Sequence, residues 1–321
     1  MIPALVDTAE IPAETMASGV TVVPVLDVAG AAGGRLARRL VRIPPAGAYA
    51  GTAGPAGELW FVTSGSGSLQ AGGRAVPVGP EHGIAVPPGA AYRLIADPAP
   101  RRSGVLTVDT VSLPGPGLAP AQPAPAQPAP AQLAPAQLAP AQLAPAQPAG
   151  AEPAGSEQAG AAGAAGPGLS ADPGAGVPRV TDLRDCAAEV SGDRRFRVLF
   201  GPRTGYPAAT QFVGEIPPGR APDHRHTYDE VVLVLAGEGV VHLVADQPAG
   251  EVRLALAGEE AGQPPARLPV GAAAYPLRPG SCLHLPPGQR HCLENTGTSM
   301  LRVLGVFHPG GSPAAKQPSP G

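Results

Sequence analysis

The chain has 321 residues, too many for one small barrel and enough for two domains with a connecting segment. Hydrophobic residues make up 43% of it and aromatics only 3%, while 44 Gly and 44 Pro favour short strands and frequent turns over long helices. A formal net charge of -3, with no block of like charge, argues against a nucleic-acid partner or an anionic membrane surface.

The opening residues, Met1 to Gly19, carry neither a basic n-region nor an apolar h-region, and no apolar run reaches membrane-spanning length. The expectation is a cytoplasmic protein. Cys186, Cys282 and Cys292 are odd in number and lie at no metal-like or disulfide-like spacing, so three reduced thiols are expected.

In chain order, residues 18–113 read as strand, turn, strand, with β-rich runs bounded by Gly and Pro. The composition then changes. Over 114–178 the tetrad Ala-Pro-Ala-Gln recurs at a period of five and gives way to Ala, Gly and Pro. Five residues cannot form a supersecondary unit, and recurring prolines block both helix and sheet. This segment reads as a disordered Ala/Pro/Gln-rich linker of polyproline character, with a proline-docking peptide as the less favoured reading.

Residues 179–310 return to short strands, with a helical turn or two expected near 182–190. Residues 311–321 read as a disordered tail. The two blocks share an order of signals: IPPAG at 43–47 against IPPGR at 216–220, ELWFVTSGSG at 58–67 against EVVLVLAGEG at 230–239, and AVPPGAAY at 85–92 against HLPPGQRH at 284–291. That is an internal duplication of an all-β unit, and the strand spacing suggests a sandwich or jelly-roll barrel in each copy.

Chemistry concentrates in the second copy. His224 and His226 are two apart, so on an extended strand both imidazoles point to one face. Glu230 keeps that parity, Val232 and Val234 continue it as apolar lining, and Gly237 ends the run. His291 follows a Pro-Pro-Gly turn, from which it can face back across a barrel. Three imidazoles and a carboxylate form a mixed N/O site suited to Mn, Fe, Ni, Co or Zn, with positions left open. His82, His242, His284 and His308 read as ordinary histidines.

These two stretches resemble the paired signature motifs of the cupin superfamily. The first motif is met by Gly219, His224, His226, Glu230 and Gly237, with the gap after Gly219 one residue shorter than usual. The second is met by Gly280, Pro286, Gly288, His291 and Asn295. The resemblance implies two jelly-roll cupin barrels and one divalent transition metal per chain, Fe or Mn favoured, with His224, His226, Glu230 and His291 as ligands. The glycines, Pro286 and Asn295 match turn and packing positions. Cupin barrels pair side by side, so the two copies are expected to pair within the chain, with a homodimer also open.

The first copy retains Glu58 and Gly65 but places Tyr92 where His291 sits, and Thr52 and Gly54 where His224 and His226 sit. It is expected to be metal-free. Trp60 is read as out of phase with Glu58, facing core or solvent, with a small-ligand pocket of Glu58, Trp60 and Tyr92 as the alternative.

The resemblance leaves the reaction open. The favoured expectation is a metal-dependent, oxygenase-like enzyme acting on a small organic substrate, with Glu230 as ligand and candidate proton acceptor. The alternatives are a non-catalytic metabolite-binding or sensing module and a sugar isomerase. Arg220 and Arg225 flank the ligands and could steer an anion, although parity turns Arg225 outward. The long 238–279 stretch reads as an extra hairpin, a flap over the barrel mouth or a surface insertion.

Overall fold

The computed structural model describes residues 4–29, 35–98, 104–115, 177–244, 273–314 and 317–318. The repeat segment of the linker and residues 245–272 of the long insertion lie outside the described residues. Everything described is strand, turn or short 3-10 turn; the helical turns expected over 182–190 reduce to one at Leu183–Asp185, followed by the strand Ala188–Ser191. No helix among the described residues is long and apolar enough to cross a membrane.

Each half is a jelly roll of two antiparallel sheets. In the N-terminal half a seven-stranded sheet runs Arg179–Asp182, His82–Val86, Glu58–Ser64, Leu106–Ser112, Arg35–Ile43, Thr21–Ala29, Glu14–Thr15. It faces a four-stranded sheet of Ala48–Thr52, Ala91–Ala96, Gly67–Ala71 and Arg74–Val78. In the C-terminal half the order is Ala4–Asp7, Ser281–Leu285, Asp229–Ala236, Leu301–His308, Thr210–Ile216, Arg194–Phe200, Ala188–Ser191. The facing sheet carries Gly239–Val244, Arg290–Asn295 and the short ligand strand His224–Arg225, whose outer edge pairs with Gln317–Pro318. Gly239–Val244 also pairs with Ala273–Leu277, so the two ends of the insertion close a hairpin.

Two strands cross between the halves. Ala4–Asp7 adds to Ser281–Leu285, and Arg179–Asp182 adds to His82–Val86, which is the equivalent strand of the other copy. Each half thus covers a sheet edge of the other, which would otherwise present unpaired backbone groups.

Strand alternation assigns every core residue. Trp60 and Val62 fill the N-terminal barrel, while Leu59 and Phe61, one residue out of phase, join a cluster shared with the other half. Val232 and Val234 fill the C-terminal barrel, while Val231 and Leu233 enter the same shared cluster beside Leu199, Phe200 and Val306. The sheet-to-sheet layer between the barrels is therefore largely apolar, but buried polar groups enter it: Gln211 Nε2 donates to Trp60 O at 3.2 Å, and Asp229 and His284, on the parity of Val231 and Cys282, pair at 3.0 Å. Arg38 and Asp109, 0% and 1% exposed, form a two-pronged ion pair there, Nε to Oδ1 at 2.7 Å and Nη2 to Oδ2 at 2.9 Å. Arg302 Nη2 to Glu81 Oε1, at 2.7 Å, ties the halves again near the rim.

The duplication keeps its register along the glutamate strand and at the glycine that ends it. Glu58 pairs with Val86 as Glu230 pairs with Leu285. Gly65 and Gly237 have φ of 76° and 84°, and a Cβ on either would stand 2.5 or 2.6 Å from the carbonyl oxygen of Val105 or Met300. Only glycine allows both the left-handed turn and that approach.

Candidate metal centre

The short strand His224–Arg225 lies antiparallel to Arg290–Asn295, with His224 directly opposite His291. His226 follows two residues on, and the three rings gather with centroids 4.5, 4.9 and 5.0 Å apart. One ring nitrogen from each lies within 4.8 Å of the others, and all three residues are buried. Glu230, on the neighbouring sheet, stands outside this triad and touches it through His226, Oε2 to Nε2 at 3.2 Å. Two donors sharing one ion with bonds of about 2.1 Å sit roughly 3 Å apart when at right angles, so this spacing suits neighbouring ligands.

Backbone carbonyls set the imidazole tautomers. His291 Nδ1 is 2.9 Å from Gln289 O, and His224 Nδ1 is 3.3 Å from Pro222 O. A carbonyl can only accept, so each Nδ1 carries the proton and each Nε2 keeps its lone pair for a cation. His226 is fixed by stacking instead. Its ring lies 4.6 Å from Tyr228, which stacks at 4.1 Å on Phe307. The His226 Nδ1 is buried with no hydrogen-bond partner among the described residues.

Burial would raise the Glu230 carboxyl, but the His226, His291 and His224 rings outweigh it and hold Glu230 below its ordinary range. A weakened base is a better ligand than proton acceptor, so of the two roles expected for Glu230 the electrostatics favour the first. Burial pushes the Tyr228 hydroxyl well above its ordinary value, and Glu230 adds to the shift, so this phenol stays protonated as a donor. Tyr228 shares the parity of His226 and Glu230, the signal that marks it in the sequence.

Burial, reinforced by His226, lowers His291 from 6.5 to about 4, with Glu230 opposing. Between those values the unfolded chain takes up a proton that the folded ring refuses. Stability is therefore full above pH 6.5 and is lost progressively as the pH falls toward 4. Thermal melting of chelator-stripped protein should drop across this window, and less steeply in His291→Gln. Equal slopes in the two proteins would contradict a buried neutral ring.

The triad forms part of the wall of a cavity of about 70 Å³, where roughly 10–15 Å³ by this measure holds one water. Phe212, Ile216, Val232, Leu293 and Val303 supply apolar wall, and Tyr228, Glu230 and Arg194 supply polar groups. Pro313, just beyond the last long strand, also lines it; next to it, Gly311 N and O bond the Thr210 hydroxyl at 3.0 and 2.9 Å. Neither Arg220 nor Arg225 lines the cavity. Arg220 pairs with Asp223 at 3.3 Å on the surface. Arg194, which sequence reasoning passed over, does line it; it shares strand parity with the cavity residue Phe196.

The N-terminal barrel differs at each corresponding point. Gly51 stands opposite Tyr92 as His224 stands opposite His291. The residues equivalent to His224 and His226 are thus Gly51 and Ala53, not Thr52 and Gly54, because the turn before Glu58 is one residue longer than that before Glu230. A Cβ on Gly51 would stand 2.7 Å from the Tyr92 hydroxyl, so that ring lies over the vacated ligand position. Trp60, 0% exposed, packs edge-on against Tyr92 at 4.5 Å and donates from Nε1 to Glu58 Oε2 at 2.7 Å. Trp60 is therefore in phase with Glu58, contrary to the sequence expectation: residues 58 and 60 share parity on one strand. Its indole and the Tyr92 phenol fill the place of a metal centre.

Comparison with known proteins bears on the fold. No family model matches the sequence, and no curated protein matches it. Solved structures do. A point mutant of Bacillus subtilis oxalate decarboxylase aligns at TM-score 0.59 and 13% identity, covering 98% of this chain and 78% of that one. The fold is that of a bicupin. The oxalate decarboxylase of Lactobacillus farciminis, in a formate complex, aligns at 0.57 and 12% identity over 95% of this chain and 86% of its own. Escherichia coli protein Ylba aligns at 0.54 and 9%, covering 95% and 89%. At these identities the likeness carries architecture, and the triad carries the chemistry.

Proposed function

We propose that this bicupin is a metal-dependent enzyme, oxygenase-like in type, whose single site binds one divalent transition metal and one small organic substrate. The observation that carries this reading is the set of three buried imidazoles with ligand nitrogens within 4.8 Å, opening on a partly apolar cavity. His224, His226 and His291 would hold the ion and Glu230 would complete the set. Nitrogen donors with one carboxylate favour Fe or Mn while admitting Ni, Co and Zn. The ion, when bound, supplies a Lewis acid with positions open to substrate oxygen.

The chain's own residues do the rest. His224 and His291 arrive with Nδ1 already committed to backbone carbonyls, so little reorganisation is needed. Stacking against Tyr228, itself backed by Phe307, holds His226 in one plane. Glu230 stays ionised and offsets part of the ion's charge. Tyr228 presents a neutral hydroxyl to the cavity, and the wall of Ile216, Val232 and Val303 excludes water around the substrate.

Oxygen consumption tests the reaction class. Full-length protein loaded with Fe(II) or Mn(II) and offered small phenols, keto acids and thiols should consume oxygen with at least one of them, and His226→Ala should not. Silence across the panel, with a metabolite held tightly in calorimetry, would favour a binding module instead.

A further inference from the structure

The C-terminal barrel has a cavity because interior positions that are filled in the N-terminal barrel are emptied here. Strand pairing aligns the two copies. In the first, Trp60 stands opposite Thr110, and Thr110 opposite Arg39; in the second, Val232 stands opposite Gly305, and Gly305 opposite Phe212. One row further along, Val62, Val108 and Val41 correspond to Val234, Val303 and Gly214. An indole, a threonine and a valine on the inner face have thus become a valine and two glycines.

Glycine inside a strand weakens a sheet and marks a close approach. Here the approach is that of the Phe212 ring. A Cβ on Gly305 would overlap its Cε1 and Cζ, and one on Gly214 would stand 3.5 Å from its Cε2. The ring therefore lies across both glycines, against bare backbone, and lines the cavity shared by the three imidazoles. Phe307, 5.9 Å away, packs against it and also backs the Tyr228 ring that stacks on His226. The volume of about 70 Å³ left beside this ring is about half of the roughly 150 Å³ at which an apolar cavity takes up benzene.

We propose that Phe212 is the specificity-determining residue of this site: seated on Gly305 and Gly214, it shortens the cavity so that an acyclic substrate of a few non-hydrogen atoms enters and a six-membered ring does not. The inference rests on the metal-site reading above and narrows its substrate class, keeping small keto acids and thiols and dropping phenols. The two glycines give the residue its leverage. With no side chain beneath the ring, its removal leaves space that the strands can refill only in part. A methyl added beneath it would drive the ring toward the triad instead.

The test titrates ethanethiol and phenylmethanethiol into the Co(II)-loaded full chain, whose visible spectrum reports a thiolate joining the metal. Metal content and melting temperature are recorded beside each titration. The wild type should prefer ethanethiol, and Phe212→Ala should shrink that preference by roughly tenfold or more, since burying a ring is worth more than one decade of affinity. Phe212→Leu, which risks less stability, should move the preference the same way by less. Gly305→Ala should weaken ethanethiol, and adding Phe212→Ala to it should restore binding. A wild type that takes both thiols equally, or neither, or a preference unmoved by Phe212→Ala, with metal bound throughout, would overturn the proposal. Absence of metal from the wild type would instead sink the metal-site reading.

Discussion

Asp109→Ala is expected to remove about 3–5 kcal/mol of folding stability, the cost of leaving one member of a buried ion pair alone. Arg38 would be stranded in the layer between the two barrels, fully buried and against Cys282 of the other half. Total stabilities of domains run to about 5–15 kcal/mol, so this single change would bring the fold close to its limit. The same reasoning predicts a rescue. Replacing both members by apolar residues of similar volume, Arg38→Met with Asp109→Leu, should restore most of the loss, because no charge then remains to be desolvated. Urea denaturation of the three variants decides it. A loss below about 1 kcal/mol in Asp109→Ala would mean the pair is solvated in solution and that the two barrels do not close over it.

His291→Ala is expected to lower metal affinity by on the order of a hundredfold or more. Groups that merely hold a ligand in place are worth about 10–100-fold, and removing a ligand itself should not cost less. His291 is also directly opposite His224 on the neighbouring strand of the same sheet, so its loss removes one side of the paired ligands. The alanine variant should remain folded, since the ring's neighbours are other polar rings rather than the apolar cluster of Val232, Val234 and Leu283. Equilibrium dialysis against Mn(II) or Zn(II) measures the change. Unaltered affinity would remove His291 from the site.

Much of the fold and the triad was legible because strand chemistry has a period of two. His224 and His226, Val232 and Val234, and the turn before His291 each give a face, and the structure adds only that the faces converge. Parity does not give depth: Glu230 has the right face but stands at the edge of the triad, reaching it through His226. Parity misapplied misleads, as with Trp60, which shares the phase of Glu58 and bonds to it. Motif alignment also cannot see a one-residue difference in turn length; only the pairing of Gly51 with Tyr92 reveals it.

Long-range pairs were invisible for a different reason. Arg38 and Asp109 are 71 residues apart, and a charge in a short strand reads as surface until its partner is placed. The crossing strands Ala4–Asp7 and Arg179–Asp182 are four residues each, too short for periodicity to speak. Arg194 could have been found from its alternation with Phe196, but only the folded barrel shows that it lines the cavity of the triad.

All of these particulars converge on one claim: the C-terminal barrel holds a metal and the N-terminal barrel, filled by Trp60 and Tyr92, does not. Metal analysis of the purified full-length chain after loading and removal of excess tests it most directly. The account predicts one ion per chain in the wild type and close to none in a variant lacking His224 and His291. Two ions per chain, or an ion retained in that variant, would contradict it.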